Sequence, residues 1–464
     1  MTIVSRIAPR ERLRFVVLAF LLFMNAIVVQ SNGVVATSGF VANVGTGQIL
    51  LVWALDNAII FGASGAYSIF TDRLKRSTMA LTLFIAASVI YLLMYVLFRS
   101  DAPDAVTYTL LMLLGDQQWI LFALAIWALA NDVFTMPEAK RLFPLLGLAG
   151  LIGGIIGNGL AAGLARLTAV NPLTAFAGPV NINFDLLFVQ ASNSNYNLML
   201  LNAALMGVSA GVLAIGLRHI TIVVHQSKSQ DSPIEILREG IAFVRDIPAF
   251  RYLGIVMLLV GIGLNTIEYQ LVVSAAQSFQ LESELSAFYG TFRMVRMISL
   301  LAVQGLLATW ILKHVGLKSV FAFLPTVMFL ALFLPILIPG VLMIAAGEYL
   351  VRIAMEGVDD PARRVFIGMV PDEQRGRVSA FFDGYLYPIG AVLSCLLIAI
   401  VLVLEQQSIL PSGWAQPIYL SVIAVIVATS LYFITKLRAT YDQSMLNWRL
   451  RRRKRSSQLT QFDL

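Results

Sequence analysis

The sequence predicts an all-α membrane protein: twelve transmembrane helices in two pseudo-symmetric six-helix bundles, with both termini cytoplasmic. Three observations carry that prediction, namely the hydropathy of the chain, the one-sided placement of its cations, and a short motif that recurs at the same place in each half. Of 464 residues, 58% are hydrophobic and 13% charged, and mean hydropathy is +0.81, far from the composition of a soluble domain. A helix needs about 20 apolar residues to cross roughly 30 Å of hydrocarbon, with every backbone polar group satisfied internally.

Twelve segments meet that requirement. In the first half their cores run Phe15–Val35, Gln48–Phe70, Met79–Phe98, Leu110–Val133, Leu145–Leu164 and Leu198–Leu217. The second half continues with Tyr252–Ser274, Phe288–Ile311, Ser319–Ile338, Val341–Gly357, Phe381–Leu404 and Tyr419–Thr435. The first segment follows a short basic stretch but is too long for a signal-peptide core, so it is read as a helix. The fifth carries Gly153 and Gly157 one turn apart, a small-xxx-small spacing that predicts close packing against another helix.

Positive charge concentrates in cytoplasmic connections. Of the 33 lysines and arginines, only Arg99 and Arg166 fall on the outer side of this arrangement, and Arg293, Arg296 and Arg352 lie within spans. A miscounted helix would invert every later loop and destroy the asymmetry, so both termini are expected inside. The run "RLRRRKR" at 449–455 then faces the anionic inner leaflet. No aromatic residue interleaves it, which disfavours nucleic acid as a partner. The expected location is a bacterial inner (plasma) membrane.

Residues 1–217 form the first bundle, 218–251 a cytoplasmic linker, 252–438 the second bundle and 439–464 a basic tail. In the linker, Ser232, Pro233 and Glu235 make a helix start, and Leu237, Ile241 and Val244 recur at helical spacing. "AKRLF" (139–143) follows the fourth span and "ARRVF" (362–366) the tenth, which points to an internal repeat of the kind seen in secondary transporters.

Ionisable groups within a membrane cost at least about 2.5 kcal/mol each and tend to face a cavity or a partner. The third, ninth and twelfth spans have none, and the sixth offers only Asn202, so every third helix is expected to face lipid. Asp56, Asp116, Gln117, Gln118, Asn265, Glu268, Arg293, Arg296, Glu348, Arg352, Glu356 and Asp383 are then left to line a polar path. Glu348, Arg352 and Glu356, spaced by four, stack along one helix face. Glu268 is placed to pair with Arg293 or Arg296. Arg352 and Arg296 are the expected contacts for an anion, and Glu268, Glu348 or Glu356 for a coupling proton. At the cytoplasmic ends, Asp132 and Glu138 are expected to partner Lys140 and Arg141, and Asp359 and Asp360 to partner Arg363 and Arg364, as paired inner gates.

Several chemistries are excluded. The one cysteine, Cys395, forbids an internal disulfide, and the three histidines lack metal-ligand spacing. No phosphate-binding loop, nucleophile elbow or cofactor motif is present. Neither an enzyme nor a cofactor protein is expected.

With its helix count, inside termini, central linker and apolar third helices, the chain resembles the major facilitator superfamily. The loop signature of that superfamily after the second span is matched by Asp72, Arg73 and Arg76, with Ser68 and Lys75 where glycines are usual. The resemblance implies a gating role for Asp72 and Arg73. More narrowly, "EAKRLFPLLG" (138–147) is similar to a segment of the bacterial and plastid ATP:ADP antiporters; Glu138, Ala139, Lys140, Arg141, Pro144, Leu145 and Gly147 match. That likeness implies a carrier exchanging nucleotides. Those carriers have lysines within their spans and this sequence has none, so a less charged phosphorylated or carboxylated solute, moved by exchange or with protons, fits its arginines better. A sensor or scaffold that kept a transporter fold, and a lipid-handling protein, are the alternative readings.

Overall fold

The computed structural model describes residues 11–73, 76–100, 102–169, 194–217, 241–242, 244–306, 314, 317–368, 370, 378 and 381–462. Side chains are not described at 61, 63–75, 136, 140, 167–169, 194–196, 305–306, 317–318, 334, 383 and 442–462. Asp72, Arg73, Lys140 and Asp383 therefore have a described helical backbone only, and most of the expected linker helix lies outside the described residues.

The regular structure of the described residues is all helical: α1 (Arg12–Asn43), α2 (Ile49–Arg73), α3 (Arg76–Arg99), α4 (Asp104–Val133), α5 (Met136–Ala169), α6 (Ser194–Leu217), α7 (Pro248–Ser278) and α8 (Glu282–Leu306). After a single turn at Leu317–Val320 come α9 (Phe323–Leu337), α10 (Val341–Ala354), α11 (Asp360–Ile367), α12 (Tyr387–Gln406) and α13 (Ala415–Phe462). Among them, eight are long and apolar enough to cross a bilayer, and Ile49–Ile60 and Phe323–Leu337 are shorter apolar helices. The chain is an integral multi-pass membrane protein. Helix α13 runs on without a break through the basic segment 449–455.

Local sequence explains the helix ends. Gly340 starts α10 at φ 149°, a backbone region that favours glycine. Thr135 and Glu138 form a capping box at the start of α5: the Thr135 amide donates to Glu138 Oε2 at 2.8 Å and its hydroxyl to the same oxygen at 3.0 Å. Two π-helical turns, Met355–Asp359 after α10 and Phe382–Leu386 before α12, interrupt the regular ladder.

The chain divides into two compact units. The first comprises 1–52, 67–230 and 275–301, and the second 53–66, 231–274 and 302–464. In the first, α1 is the central helix and packs on α4, α5 and α6, while α3 packs on α4 and α6. The expected close approach at Gly153 and Gly157 is present: a Cβ at either would overlap the backbone carbonyl of Phe23 or Ile27 on α1. In the second, α9 packs on α10 and α13, and α12 on α13. One end of this unit is closed by an apolar cluster that includes Phe250, Phe321, Phe366, Phe382 and Leu437.

Helix α3 fits the expectation of a lipid-facing third helix, with 22% of its apolar window buried against 72% for α7. Its outward face shows Ile85, Val89, Leu92, Leu93 and Val96. Helices α6 and α13 are covered as much as α4 and α5, so burial does not single them out.

Candidate functional site

In the second unit, a cationic side chain is held between two carboxylates. Arg352 of α10 donates from Nε to Glu348 Oε1 at 3.0 Å and from Nη2 to Glu268 Oε2 on α7 at 2.5 Å. The first contact follows from the four-residue spacing, which puts both groups on one helix face. The second differs from the expected partnership of Glu268 with Arg293 or Arg296: Glu268 folds into the same compact unit as Arg352, while both other arginines belong to the first unit, and its carboxylate meets Arg352. Side-chain exposure is 3% for Glu348, 14% for Arg352 and 33% for Glu268, so the cluster has a closed edge and an open one. Tyr387, the first residue of α12, and Glu356 are within electrostatic reach of the guanidinium.

Glu356, the third residue of the expected stack, lies inside the π turn and acts electrostatically on Arg352. Glu356 is half-buried, and its backbone carbonyl accepts a hydrogen bond from Gln304 Nε2 at 3.2 Å.

Around this cluster α7 presents further polar groups. Asn265 Nδ2 meets Cys395 Sγ at 3.4 Å, and the Thr266 and Ser394 hydroxyls are 2.8 Å apart. Tyr419 donates to Gln270 Oε1 at 2.5 Å, and Tyr269 lies edge-on between Trp53 and Tyr419, with ring centroids 6.4 and 6.2 Å away. Asp56, one turn beyond Trp53, is buried.

The first unit contains the other membrane arginines. Arg293 Nη2 donates to Thr37 Oγ1 at 3.3 Å, and the guanidinium lies 5.8 Å from the Tyr289 ring centroid. Gly33 lets it approach α1, since a Cβ there would sit 3.0 Å from Nη1. Arg296, one turn further, is half-buried. Asn158 Nδ2, at 3.2 Å from Gln30 Oε1, adds a polar contact between α5 and α1. Of the α4 residues, Asp116 is exposed and Gln117 half-buried, while Gln118 is enclosed by Asn25 at 2.9 Å and Tyr91 at 2.7 Å.

In the first unit, Asp132, Glu138 and Arg141 are paired with residues beyond the expected set. Asp132 accepts from Arg76 Nη1 at 2.5 Å, Glu138 lies 3.6 Å from Arg14 Nη2, and Arg141 Nη2 reaches Glu11 at 2.6 Å. The physical reason is that the start of α1 lies against the start of α5, so its own charges reach Glu138 and Arg141 first. Glu11 is a partner that sequence reasoning missed, and its signal was an acid just before the first basic helix turn. In the second unit Arg363 pairs with Asp360, and with Asp359 at 3.5 Å, as expected from their three- and four-residue spacing. Arg364 is exposed.

Among the described residues, no group of three or more His, Cys, Asp or Glu is placed to hold a metal ion. A buried guanidinium with one half-open edge instead suits a carboxylate or phosphate, whose oxygens match its planar fork.

The chain resembles the nucleoside transporter NupG in solved structure (TM-score 0.60, 14% identity, covering 92% of this chain and 98% of that one). It also resembles a bacterial homologue of the human lysosomal transporter Spinster (TM-score 0.58, 14% identity, 95% and 98%). A third likeness is to a POT family transporter (TM-score 0.59, 11% identity, 94% and 100%). At such identities the likeness establishes an MFS-like fold. No curated protein sequence matches significantly. The sequence profile of the TLC ATP/ADP transporter family matches residues 103–370, more than half of the chain and the stretch that includes Glu138–Gly147, Glu268 and Arg352. The chain therefore belongs to the TLC ATP/ADP transporter family, nucleotide exchange transporters of MFS-like fold rather than enzymes.

Proposed function

We propose that this carrier exchanges adenine nucleotides by alternating access, gripping the phosphate end at Arg352. The observation that carries the reading is the guanidinium of Arg352, fixed on one edge by Glu348 at 3.0 Å and held on the other by a half-exposed Glu268. Trp53 and Tyr269 of the same unit, with ring centroids 6.4 Å apart, supply an aromatic surface for a base. The acids at 56, 268, 348 and 356 oppose a highly charged ligand, which favours ADP and monophosphates over ATP.

Twelve spans in two pseudo-symmetric bundles, 1–217 and 252–438, with cytoplasmic termini in a bacterial plasma membrane, complete the proposal. The ion pairs of Asp132, Glu138, Arg141 and Arg363 then sit at the cytoplasmic ends, where Asp72, Arg73, Lys140, Asp359, Asp360 and Arg364 join them. The cation asymmetry and the recurring "AKRLF" and "ARRVF" support this orientation. Counterflow in proteoliposomes tests the substrate: labelled ADP and AMP are expected to enter vesicles loaded with the same compound, faster than ATP. Arg352→Gln is expected to lower that counterflow at least a hundredfold while the protein still inserts. Wild-type rates in the variant would remove Arg352 from the site.

A further inference from the structure

We propose that binding of the substrate anion at Arg352 is linked to uptake of a proton by Glu268, the carboxylate that the anion displaces. This rests on the assignment of Arg352 as the phosphate contact and concerns the charge balance of that same site. Glu348 meets Arg352 Nε at 3.0 Å with its side chain 3% exposed, so the pair on one helix is neutral by itself. Glu268, 2.5 Å from Nη2, is a second carboxylate on one guanidinium and leaves the cluster with a surplus negative charge. Glu356, half-buried in the π turn, adds another that acts on the same arginine.

An arriving phosphate meets Nη2 from the open edge, where 33% of the Glu268 side chain is exposed, and leaves the enclosed Glu348 in place. An ionised Glu268 then faces the phosphate with its cation taken and with two further carboxylates on the same site. Like charges at close range, in a pocket largely shielded from water, favour the neutral acid. A proton removes the conflict and reverses the hydrogen-bonding sense of the group, because a protonated carboxyl donates to the phosphate oxygen that an ionised one repels. Among the described residues, Arg352 is the one cation within ion-pair distance of Glu268. The other titratable groups brought against α7 do not replace it. Tyr387 of α12, which acts on both Arg352 and Glu268, and Cys395, which meets Asn265, are neutral. Asp56 lies on the α2 segment whose Trp53 meets Tyr269, and α13 contributes Tyr419 to that ring. Arg363 touches α7 at Met257, about 16 Å along the helix from Glu268, and is paired with Asp359 and Asp360.

The first arm of the test contains no substrate. In Arg352→Gln, Glu268 has lost its cation, and infrared spectroscopy at neutral pH reads the carbonyl band of a protonated carboxylic acid. The band is expected to grow in Arg352→Gln relative to the parent and to shrink again in Arg352→Gln/Glu268→Gln. No growth in the single variant, or no decrease in the double one, overturns the proposal. The second arm titrates purified parent and Glu268→Gln with ADP, AMP and inorganic phosphate by calorimetry, in buffers of different ionisation heat from neutral to alkaline pH. The parent is expected to take up about one proton more per bound anion than Glu268→Gln, the phosphate's own proton being common to both. Its affinity is expected to fall, relative to the variant, by about tenfold per pH unit, the slope of one linked proton. Glu268→Gln, with an uncharged donor in place of the acid, then binds the tighter of the two at alkaline pH. Equal proton uptake with parallel pH profiles overturns the proposal, and so does a Glu268→Gln variant that fails to bind a probe the parent binds. If neither protein binds any probe while the infrared difference is present, the nucleotide reading fails and the proton link between Glu268 and Arg352 stands.

Discussion

Glu138 combines two roles within one helical turn. It caps α5 through the amide and hydroxyl of Thr135 and faces Arg14 across to α1. The Thr135 amide, together with the Thr135 hydroxyl and the guanidinium groups of Arg14 and Arg141, holds its carboxyl below the usual carboxylate range despite partial burial. A group whose folded pKa is depressed contributes stability above its unfolded value and loses it as pH falls through the folded one. Glu138→Gln keeps a side chain that can cap but loses the charge facing Arg14, and is therefore expected to destabilise the detergent-solubilised protein by up to about 1 kcal/mol at neutral pH, the worth of such an ion pair. The melting gap between variant and parent should close as the pH falls below the ordinary carboxylate range. An equal gap at acid and neutral pH would show that shape rather than charge is at stake. The T-x-x-E pattern of this cap stood in the sequence, as did the four-residue step from Glu348 to Arg352. Partners on other helices, Glu268 for Arg352 and Glu11 for Arg141, did not, because lateral helix register leaves no mark in a linear spacing.

At the scale of elements, close packing of α1 on α5 depends on two missing side chains. Gly153 and Gly157 bring the backbone of α5 onto the carbonyls of Phe23 and Ile27. In lipid there is no hydrophobic drive between helices, so such contact area is a main source of their association. Gly157→Ala is expected to force the helices apart at an overpacking cost of about 1–3 kcal/mol, read as a lower melting temperature. The same change at Gly163, where a Cβ meets nothing within 4 Å, should be close to neutral and serves as the control. Equal loss at both positions would place the effect in the lipid or in assembly. The π turns at Met355–Asp359 and Phe382–Leu386 belong to this scale too. One contains Glu356 and the other immediately precedes α12, and no residue pattern in either stretch announced them.

For the whole molecule, the division into units does not follow the midpoint of the chain. Residues 53–66 of α2 group with the second unit, and 275–301, including most of α8, with the first. Arg293 thus keeps company with Thr37, and Glu282 with Asn43 at 3.0 Å and Tyr108 at 3.2 Å. The proposed orientation makes a test at this scale: a fluorescent protein fused after Leu464 is expected to glow in cells, and alkaline phosphatase fused after Asp101 to be active. Activity of the phosphatase at the C-terminus instead would invert the topology. Hydropathy and charge asymmetry depend only on local composition and on the bilayer as solvent, so the sequence by itself determined a multi-pass helical membrane protein, its close-packed glycines and its local ion pairs. Which helix lies beside which is a property of packing between distant segments. The tertiary structure alone therefore decided that Arg352 is gripped by Glu268, that Arg141 is answered by Glu11, and that Glu356 lies within a π turn.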